Sequence, residues 1–343
     1  MRRGRALFLG FAVALATVVW TGQDRFGAPQ ASEVPVPPPP PPKPALLRDG
    51  SLIATHAVLP AEDVLRGFGS KGERVHEQLA QVELLAITYL SDGLRVRGYL
   101  AYPRGGERVP CVIYNRGGNR AFGAFDDVSA ALTLVPLAAE GYVVVASQYR
   151  GNGGGEGREQ FGGDDVNDVL NLIPLLEDLP RADASRIGMI GWSRGAMMTY
   201  LALARTDRIA AAIVAGGESD LRAALDRRPE MRRVYRDLIP GFAKDVKGTF
   251  DARSAAQWPE KLHKGTPILV LHGSADWRVD PGQALLMARR LYDAQHPFRL
   301  VLFEGGDHGL NQFRGEVGRL QRGWLRKYVR DRARWPSLVP HGG

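Results

Sequence analysis

A serine flanked by glycines, Ser193, is the residue of this sequence best placed to do chemistry. The segment Gly191-Trp192-Ser193-Arg194-Gly195 follows a short apolar run and precedes a run typical of a helix. A sharp turn between strand and helix pushes the Ser193 hydroxyl out of the backbone, where it can attack a substrate. The backbone N–H of Arg194 then points at the negative charge that develops on the attacked oxygen. The sequence therefore predicts a serine nucleophile with one oxyanion donor.

The general base that such a serine requires is predicted at His308. A serine hydroxyl is a weak nucleophile at neutral pH until a base takes its proton. His308 lies in a glycine-rich loop at 304–309 after the last strand-like run, and such a loop carries side chains to the sheet edge where the serine also points. His272 ends an apolar run and is interpreted as a packing or hydrogen-bonding residue. The other histidines after the serine are interpreted as surface residues: His263, His296 and His341.

The carboxylate that orients the base is predicted at Asp276. It lies on the loop that leaves an apolar run at 268–271, which gives the chain order serine, acid, histidine. Asp280 is the nearest rival, and either residue could instead cap a helix, Asp280 especially because Pro281 after it is typical of a first helical position. Asp307 adjoins the histidine and is expected to point elsewhere.

A second oxyanion donor is expected from the loop Asn-Arg-Gly-Gly-Asn at 115–119, which follows an apolar run. Glycines allow the backbone to turn its N–H groups inward, and each such donor contributes about 10² to 10³ in rate. Arg116 or Gly117 is the expected donor. The alternative interpretation is an ordinary glycine-rich turn.

The elements around these residues alternate between strands and helices. Two strand-like runs flank Ser91-Asp92-Gly93, a hairpin signal, and the later strands are apolar throughout, as in a parallel sheet covered on both faces. We predict an α/β protein with an α/β-hydrolase fold: a mostly parallel central sheet with helices on both faces and a small helical insertion. The predicted strands are 83–90, 94–102, 109–114, 142–147, 187–190, 209–215, 267–272 and 298–304, and the predicted helices are 128–140, 165–179 interrupted or kinked near Pro174, 196–204, 282–295 and 315–329.

The insertion is expected at about 218–263, where short arginine-rich helical patterns separate two strands. A small lid over the site would have this pattern. Surface helices without a role in access would have it too, so both interpretations stay open.

Five stretches together are specific enough to indicate a family. They are QYRGNGG at 148–154, DDVNDV at 164–169, SRIGMIGWSRG at 185–195, LHGSAD at 271–276 and GDHG at 306–309. Over residues 83–330 the sequence resembles the prolyl oligopeptidase family of serine peptidases, nearest to its acylaminoacyl-peptidase and dipeptidyl-peptidase branches. The resemblance implies Ser193 as nucleophile, Asp276 as acid and His308 as base, in agreement with the assignment from the residues.

The chain departs from this family in three places. Family members usually carry an N-terminal β-propeller that filters substrates by size, so its lack here predicts less restricted access. Family members commonly supply a tyrosine hydroxyl to the oxyanion hole at the position where this chain has Arg116. The second oxyanion donor is therefore expected to be a main-chain N–H or the guanidinium. Gly195-Ala196 replaces a common pair of glycines, a change that a helix start tolerates.

The composition favours one large domain without a metal or cofactor. The 343 residues, 44% of them hydrophobic, suffice for a single large core. The lone Cys111 is expected to be buried and in no intrachain disulfide.

The net charge of +8 is spread along the chain, and no nucleic-acid motif accompanies it. Positive charge is concentrated at two places: Arg227, Arg228, Arg232, Arg233 and Arg236, and the series from Arg319 to Arg334. These residues form either solvated helix faces or contacts for an anionic membrane or an acidic substrate.

The N-terminal residues are typical of a targeting segment and a linker. Three arginines precede an apolar run at 6–20, which fits a signal peptide, while Trp20 disrupts a cleavage site and leaves an uncleaved anchor open. We expect 1–22 to be a signal peptide or signal anchor, 23–45 a proline-rich disordered linker, 46–335 the catalytic domain and 336–343 a tail. The protein is then exported, periplasmic or secreted, with membrane contact only through an uncleaved N-terminal segment.

The expected function is metal-free hydrolysis of peptide or amide bonds in small peptides through an acyl-enzyme. A carboxylesterase acting on small acyl esters with the same three residues is the alternative. A non-catalytic binding scaffold is the third interpretation, and the intact Ser193, Asp276 and His308 argue against it.

Overall fold

The computed structural model describes residues 47–341. The predicted targeting segment (1–22) and linker (23–45) lie outside these residues. Between 47 and 81, where the sequence analysis assigns no element, the chain forms one strand and two helices. No helix within 47–341 is both long and apolar enough to cross a membrane.

A nine-stranded sheet organises the described part of the chain, in the spatial order β1-β2-β3-β5-β4-β6-β7-β8-β9. The strands from β1 to β3 and β5 pair antiparallel, and the remaining neighbours pair parallel. The mostly parallel sheet is thereby confirmed. The strands are β1 (Leu52–Ala57), β2 (Val82–Ser91), β3 (Leu94–Pro103), β4 (Val109–Asn115), β5 (Val143–Ser147), β6 (Ala182–Trp192), β7 (Ile209–Ala215), β8 (Ile268–Gly273) and β9 (Phe298–Phe303).

The predicted hairpin joins β2 and β3. Ser91 pairs with Leu94, which leaves Asp92 and Gly93 as a two-residue turn. Both have positive φ, +50° and +76°, as a turn matched to the twist of the strands requires.

Helices cover both faces of the sheet, because the parallel strands are apolar on both sides. All five residues of β5, for example, are buried. One core cluster includes residues of α4, α5, α6 and α10, and the other includes residues of α3 and α11. The helices are α1 (Glu62–Arg66), α2 (Gly69–Leu79), α3 (Asp127–Ala139), α4 (Asp165–Leu170), α5 (Leu172–Asp178), α6 (Arg194–Leu203), α7 (Leu221–Arg227), α8 (Met231–Leu238), α9 (Val246–Asp251), α10 (Gly282–Asp293) and α11 (Arg314–Leu325), the last continued by a π-helical turn, Arg326–Arg330.

The helix predicted at 165–179, interrupted or kinked near Pro174, consists of the two helices α4 and α5, which are separated at Asn171. A proline ring clashes with the carbonyl four residues before it, and for Pro174 that residue is Leu170, where α4 ends. Pro174 itself lies in the first turn of α5, where its missing N–H costs no helical hydrogen bond.

The insertion between β7 and β8 consists of α7, α8, α9 and two short 3-10 turns. An aromatic cluster packs it against the main domain: the Tyr235 ring lies 5.2 Å from that of Phe161 and 5.8 Å from that of Phe250. The arginines of α8 that the sequence singled out, Arg232, Arg233 and Arg236, are exposed.

The interpretation of His296 as a surface residue is wrong. The turn after α10 folds back through Gln295, which has positive φ, and leaves the His296 side chain 2% exposed. Burial, with smaller contributions from the charges of Lys264 and His263, lowers the pKa of His296 to about 4. The predicted burial of Cys111 is confirmed.

Candidate active site

Ser193 stands on a strained turn between β6 and α6. Its backbone has φ +56° and ψ −126°, a conformation that costs a non-glycine residue about 1–3 kcal/mol and is typical of functional sites. The flanking glycines make the turn possible, because no Cβ fits there. A Cβ on Gly195 would lie 1.9 Å from Asn115 O, and one on Gly191 would lie 2.2 Å from Gly195 O.

The predicted acid and base are in direct contact. Nδ1 of His308 lies 2.8 Å from Oδ2 of Asp276, although the residues come from loops after different strands. Oδ1 of the same carboxylate accepts the backbone N–H groups of Arg278 and Val279 at 2.8 and 3.0 Å. These bonds fix the orientation of Asp276, and the rivals are engaged elsewhere: Asp280 accepts the N–H of Gly282 and Asp307 that of Asn311.

The loop that carries His308 packs against the turn that carries Ser193. Nε1 of Trp192 donates to His308 O at 3.1 Å, and a Cβ on Gly216 would lie 3.3 Å from His308 Nδ1. Ser193 N donates to Ala215 O, directly before that glycine. Within 47–341 no hydrogen bond joins Ser193 Oγ to the imidazole, a contact that often shortens only when substrate is bound.

A second imidazole approaches the acid. Nε2 of His272 lies 3.3 Å from Asp276 Oδ2 and 2.9 Å from Val279 O. Burial opposes ionisation of Asp276, but hydrogen bonds from His272, His308 and Val279 N–H outweigh it and hold its pKa below the ordinary value. Asp276 is therefore a carboxylate at neutral pH and accepts a hydrogen bond from His308 Nδ1.

The oxyanion donors available are main-chain groups. The guanidinium of Arg116 is buried, donates to Gln148 O at 2.8 Å and to Gly117 O at 3.0 Å, and is thus committed to carbonyl groups. Gly117 instead lies against the nucleophile, since a Cβ on it would be 3.1 Å from Ser193 Cβ and 3.8 Å from Oγ. Arg194 is the first residue of α6, so its N–H has no partner within the helix.

Comparisons with known proteins decide the family. The family model of the prolyl oligopeptidase family matches residues 128–332, more than half of the chain. The uncharacterized peptidase YtmA of Bacillus subtilis is 34% identical over 217 residues, which cover 63% of this chain and 82% of YtmA. The chain belongs to the prolyl oligopeptidase family.

Solved structures agree with this membership. A puromycin-hydrolyzing peptidase of Mycobacterium tuberculosis matches with a TM-score of 0.61 at 26% identity, over 69% of this chain and 38% of that one. An acylaminoacyl peptidase of Pyrococcus horikoshii matches in fold with a TM-score of 0.65 at 23% identity, over 77% and 45%. The chain thus spans less than half the length of these two proteins.

At the turn that carries Ser193, called the elbow from here on, this family member has a buried ionic network that the sequence analysis missed. The guanidinium of Arg194 pairs with Glu159 and, at 2.7 Å, with Asp165. Glu159 also accepts the backbone N–H of Arg120 and the amide of Asn152, both at 2.8 Å. It therefore ties the loop at 115–120 to the elbow. Asn152 and Asp165 belong to stretches that carried the family resemblance, whereas no sequence signal marked Glu159.

Exposed aromatic residues stand beside the site. Trp277 follows Asp276 and is 71% exposed, and Phe122 follows the Gly117 loop and is 63% exposed. The guanidinium of Arg278 lies 4.9 Å from the Trp277 ring and 5.5 Å from that of Phe122. The two loops are thus connected through stacked side chains at the rim.

The buried carboxyl of Glu218, in the segment after β7, has no hydrogen-bond partner within the described residues. Glu218 is 6% exposed, and its Oε2 has no hydrogen bond within 47–341. The Tyr235 hydroxyl of the insertion is likewise buried and unpaired among the described residues. Its burial, and to a smaller extent the charge of Glu218, raises the pKa of Tyr235. Neither residue was singled out from the sequence, because burial of a polar side chain is set by tertiary packing.

Among residues 47–341, no cluster of three or more His, Cys, Asp or Glu side chains could hold a metal ion.

Proposed function

We propose that this family member is a serine peptidase that cleaves amide bonds in small peptides through an acyl-enzyme on Ser193. The 2.8 Å contact between Asp276 and His308, beside a serine on a strained turn, is the observation that carries the proposal. The naming of its relatives as peptidases supports amide rather than ester bonds as the natural target.

The contact between Asp276 and His308 determines which nitrogen of the imidazole carries a proton and which can accept one. Because Asp276 is ionised, His308 keeps its proton on Nδ1 and leaves Nε2 free to accept one. Ser193 Oγ attacks the scissile carbonyl carbon while Nε2 takes the hydroxyl proton. The imidazolium then gives that proton to the leaving amine as the C–N bond breaks, and a water molecule hydrolyses the acyl-serine by the same route.

The developing oxyanion is held by the main-chain N–H groups of Arg194 and Gly117. Arg116 supports this arrangement indirectly, because its guanidinium binds Gly117 O and so fixes the peptide that precedes Gly118. The aromatic rim of Trp277 and Phe122 offers apolar surface for substrate side chains.

We also propose that the enzyme is exported, on the strength of the basic and apolar residues at its N-terminus. Whether the segment is removed is decided by N-terminal sequencing of the protein recovered from the periplasm or the medium.

The proposal is tested with the full chain. A fluorophosphonate probe labels the wild-type protein and not Ser193→Ala, and the wild-type protein hydrolyses aminoacyl p-nitroanilides. A protein that takes no label is not a serine hydrolase. One that hydrolyses p-nitrophenyl esters but no anilide or peptide is an esterase, which would contradict the peptidase assignment.

A further inference from the structure

Tyr149 is a buried residue with a strained backbone, in the segment that follows β5. Its side chain is fully enclosed and its φ is +63°, a left-handed conformation that costs a bulky residue about 1–3 kcal/mol. Its N–H donates to Ser147 Oγ at 2.9 Å, and the N–H of the next residue, Arg150, donates to Asp168 Oδ2 at 2.7 Å. The neighbouring structure therefore fixes the strained residue on both sides, and such strain is typical of positions with a function.

The Tyr149 hydroxyl binds the peptide group that carries the second oxyanion donor. It donates to Arg116 O at 2.9 Å in a buried contact, and that carbonyl belongs to the same peptide group as the N–H of Gly117. A trans peptide group is planar, with its C=O and N–H on opposite sides. Because the hydroxyl holds the carbonyl inside the protein, the N–H of Gly117 faces the other way. Within 47–341 this N–H donates no hydrogen bond, so it is free to bind the oxyanion.

The Tyr149 ring contacts the residue that supplies the other donor. The ring centre lies 4.9 Å from the guanidinium of Arg194 and 5.0 Å from that of Arg116, both within the range of cation–π contacts. Nη1 of Arg194 also donates to Gly118 O at 3.1 Å. One side chain thus touches both sides of the oxyanion hole, Arg194 through its ring and the Gly117 peptide group through its hydroxyl.

The Tyr149 hydroxyl keeps its proton and acts as a donor. Burial raises the pKa of Tyr149, against the charges of Arg194 and Arg116. A donor on the carbonyl of a peptide group polarises that group, and this strengthens the hydrogen bond that its N–H makes. Tyr149 therefore acts on the Gly117 N–H in two ways, since it fixes the direction of the N–H and increases its partial positive charge.

We infer that Tyr149 is a positioning residue of the oxyanion hole, whose hydroxyl acts through Arg116 O to aim the N–H of Gly117 at the oxyanion. The inference rests on the proposed peptidase function and adds to it a residue that never touches the substrate. Because the oxyanion exists only after Ser193 has attacked, loss of the hydroxyl lowers kcat and leaves KM nearly unchanged.

Tyr149→Phe in the full-length protein tests the inference, because it removes the hydroxyl and keeps the ring. We expect kcat for an aminoacyl p-nitroanilide to fall about tenfold, with KM within about twofold. Loss of a whole donor would cost about 10² to 10³-fold. Rates are expressed per active site titrated with a fluorophosphonate, so that unfolded protein does not count.

Tyr99→Phe is the matched control. Tyr99 is also buried, and its hydroxyl also makes a hydrogen bond of 2.9 Å, but the acceptor is Asp127 of α3 and not the loop at 115–120. This variant loses the same atom and one bond away from the oxyanion hole. We therefore expect its kcat and KM to match those of the wild type.

A second measurement reports on the oxyanion itself. An aminoacyl methyl ester is compared with its thionoester, in which sulfur replaces the carbonyl oxygen. Sulfur accepts hydrogen bonds weakly, so the ratio of kcat/KM for the ester to that for the thionoester measures the contribution of the N–H donors. We expect Tyr149→Phe to reduce this ratio by about the factor by which kcat falls. Loss of packing around Ser193 would instead slow both compounds equally.

The outcomes separate the role of Tyr149 from the proposed function. An unchanged kcat, or an equal fall for ester and thionoester, overturns the role of Tyr149, while fluorophosphonate labelling of the wild type still supports a serine hydrolase. A wild-type protein that is labelled but cleaves only esters contradicts the peptidase, and the ester pair then decides the role of Tyr149 alone. A wild-type protein that is neither labelled nor active overturns the peptidase, and this inference with it.

Discussion

His272 Nε2 lies 3.3 Å from Asp276 Oδ2, so that a second imidazole, besides that of His308, contacts the candidate catalytic acid. A residue that orients such an acid changes turnover without touching substrate. We expect His272→Phe to lower kcat about tenfold with KM nearly unchanged, because hydrogen bonds from His272 help to hold the pKa of Asp276 low. His263→Phe, at an exposed histidine, serves as the control. An unaltered kcat in His272→Phe would mean that the contact is incidental.

Gly117 is expected to tolerate no side chain. A Cβ there would lie 3.0 Å from Trp192 O and 3.1 Å from Ser193 Cβ, so Gly117→Ala shifts the loop that supplies the oxyanion donor. We expect kcat to fall about 10² to 10³-fold in steady-state assays, with the protein still folded. Gly105→Ala, where the added Cβ meets nothing within 4 Å, should match the wild type. Equal activity of the two variants would remove Gly117 from the site.

Gly195 and Gly323 are both helical glycines, but their environments differ. A Cβ on Gly195 meets Asn115 O at 1.9 Å, whereas one on Gly323 meets nothing. Gly195→Ala should therefore destabilise the fold strongly, while Gly323→Ala should raise the free energy of unfolding by about 0.5–1 kcal/mol through helix propensity. Urea denaturation measures both, and a stable Gly195→Ala would contradict the close packing of elbow and sheet.

The ion pair between Arg150 and Asp168 connects the segment after β5 to α4, with both side chains buried and Nη2 2.8 Å from Oδ1. Asp168→Leu removes the buried partner of the guanidinium and leaves it the half-exposed Asp92 at 2.7 Å, and we expect a loss of about 3–5 kcal/mol in the free energy of unfolding. The double variant with Arg150→Met should recover part of it. Asp293→Ala breaks the exposed pair with Arg289 and should cost about 0.5 kcal/mol or less. A similar cost for both pairs would contradict the difference in burial.

The difference in stability between Glu218→Gln and the wild type should depend on pH. Burial raises the pKa of Glu218, against the charges of Arg228, His308 and Arg194, so the folded state binds this proton more tightly than the unfolded state. Stability is then lost as pH rises from about 4.3, the usual pKa of an unfolded glutamate. We expect Glu218→Gln to exceed the wild type by about 1–3 kcal/mol at pH 7, a difference that vanishes below about pH 4. A constant difference across this range in urea titrations would contradict an ionisable origin.

The positions of Ser193, Asp276 and His308 could be predicted because each follows an apolar strand, and strands are the most regular signal in an α/β sequence. The burial of Glu159 and Glu218 could not be predicted, because charged residues are normally expected at the surface and only packing decides which of them are enclosed.

The sequence pattern also could not predict the direction in which a single side chain points. Arg116 occupies the expected loop, but its guanidinium turns toward Gln148 O, a choice made by a carbonyl group 32 positions away. The break between α4 and α5 precedes Pro174, because the proline ring clashes with the carbonyl one turn before it.

The insertion leaves the sheet at the end of β7 and returns at the start of its neighbour β8, and the pairing of Ala212 with Ile268 holds those two strands in register through their own backbone bonds. A segment inserted between two adjacent parallel strands can be replaced without changing the strand order or the strand pairing of the sheet. Selectivity could therefore diversify here, or be redesigned by grafting, while the hydrolytic machinery stays constant.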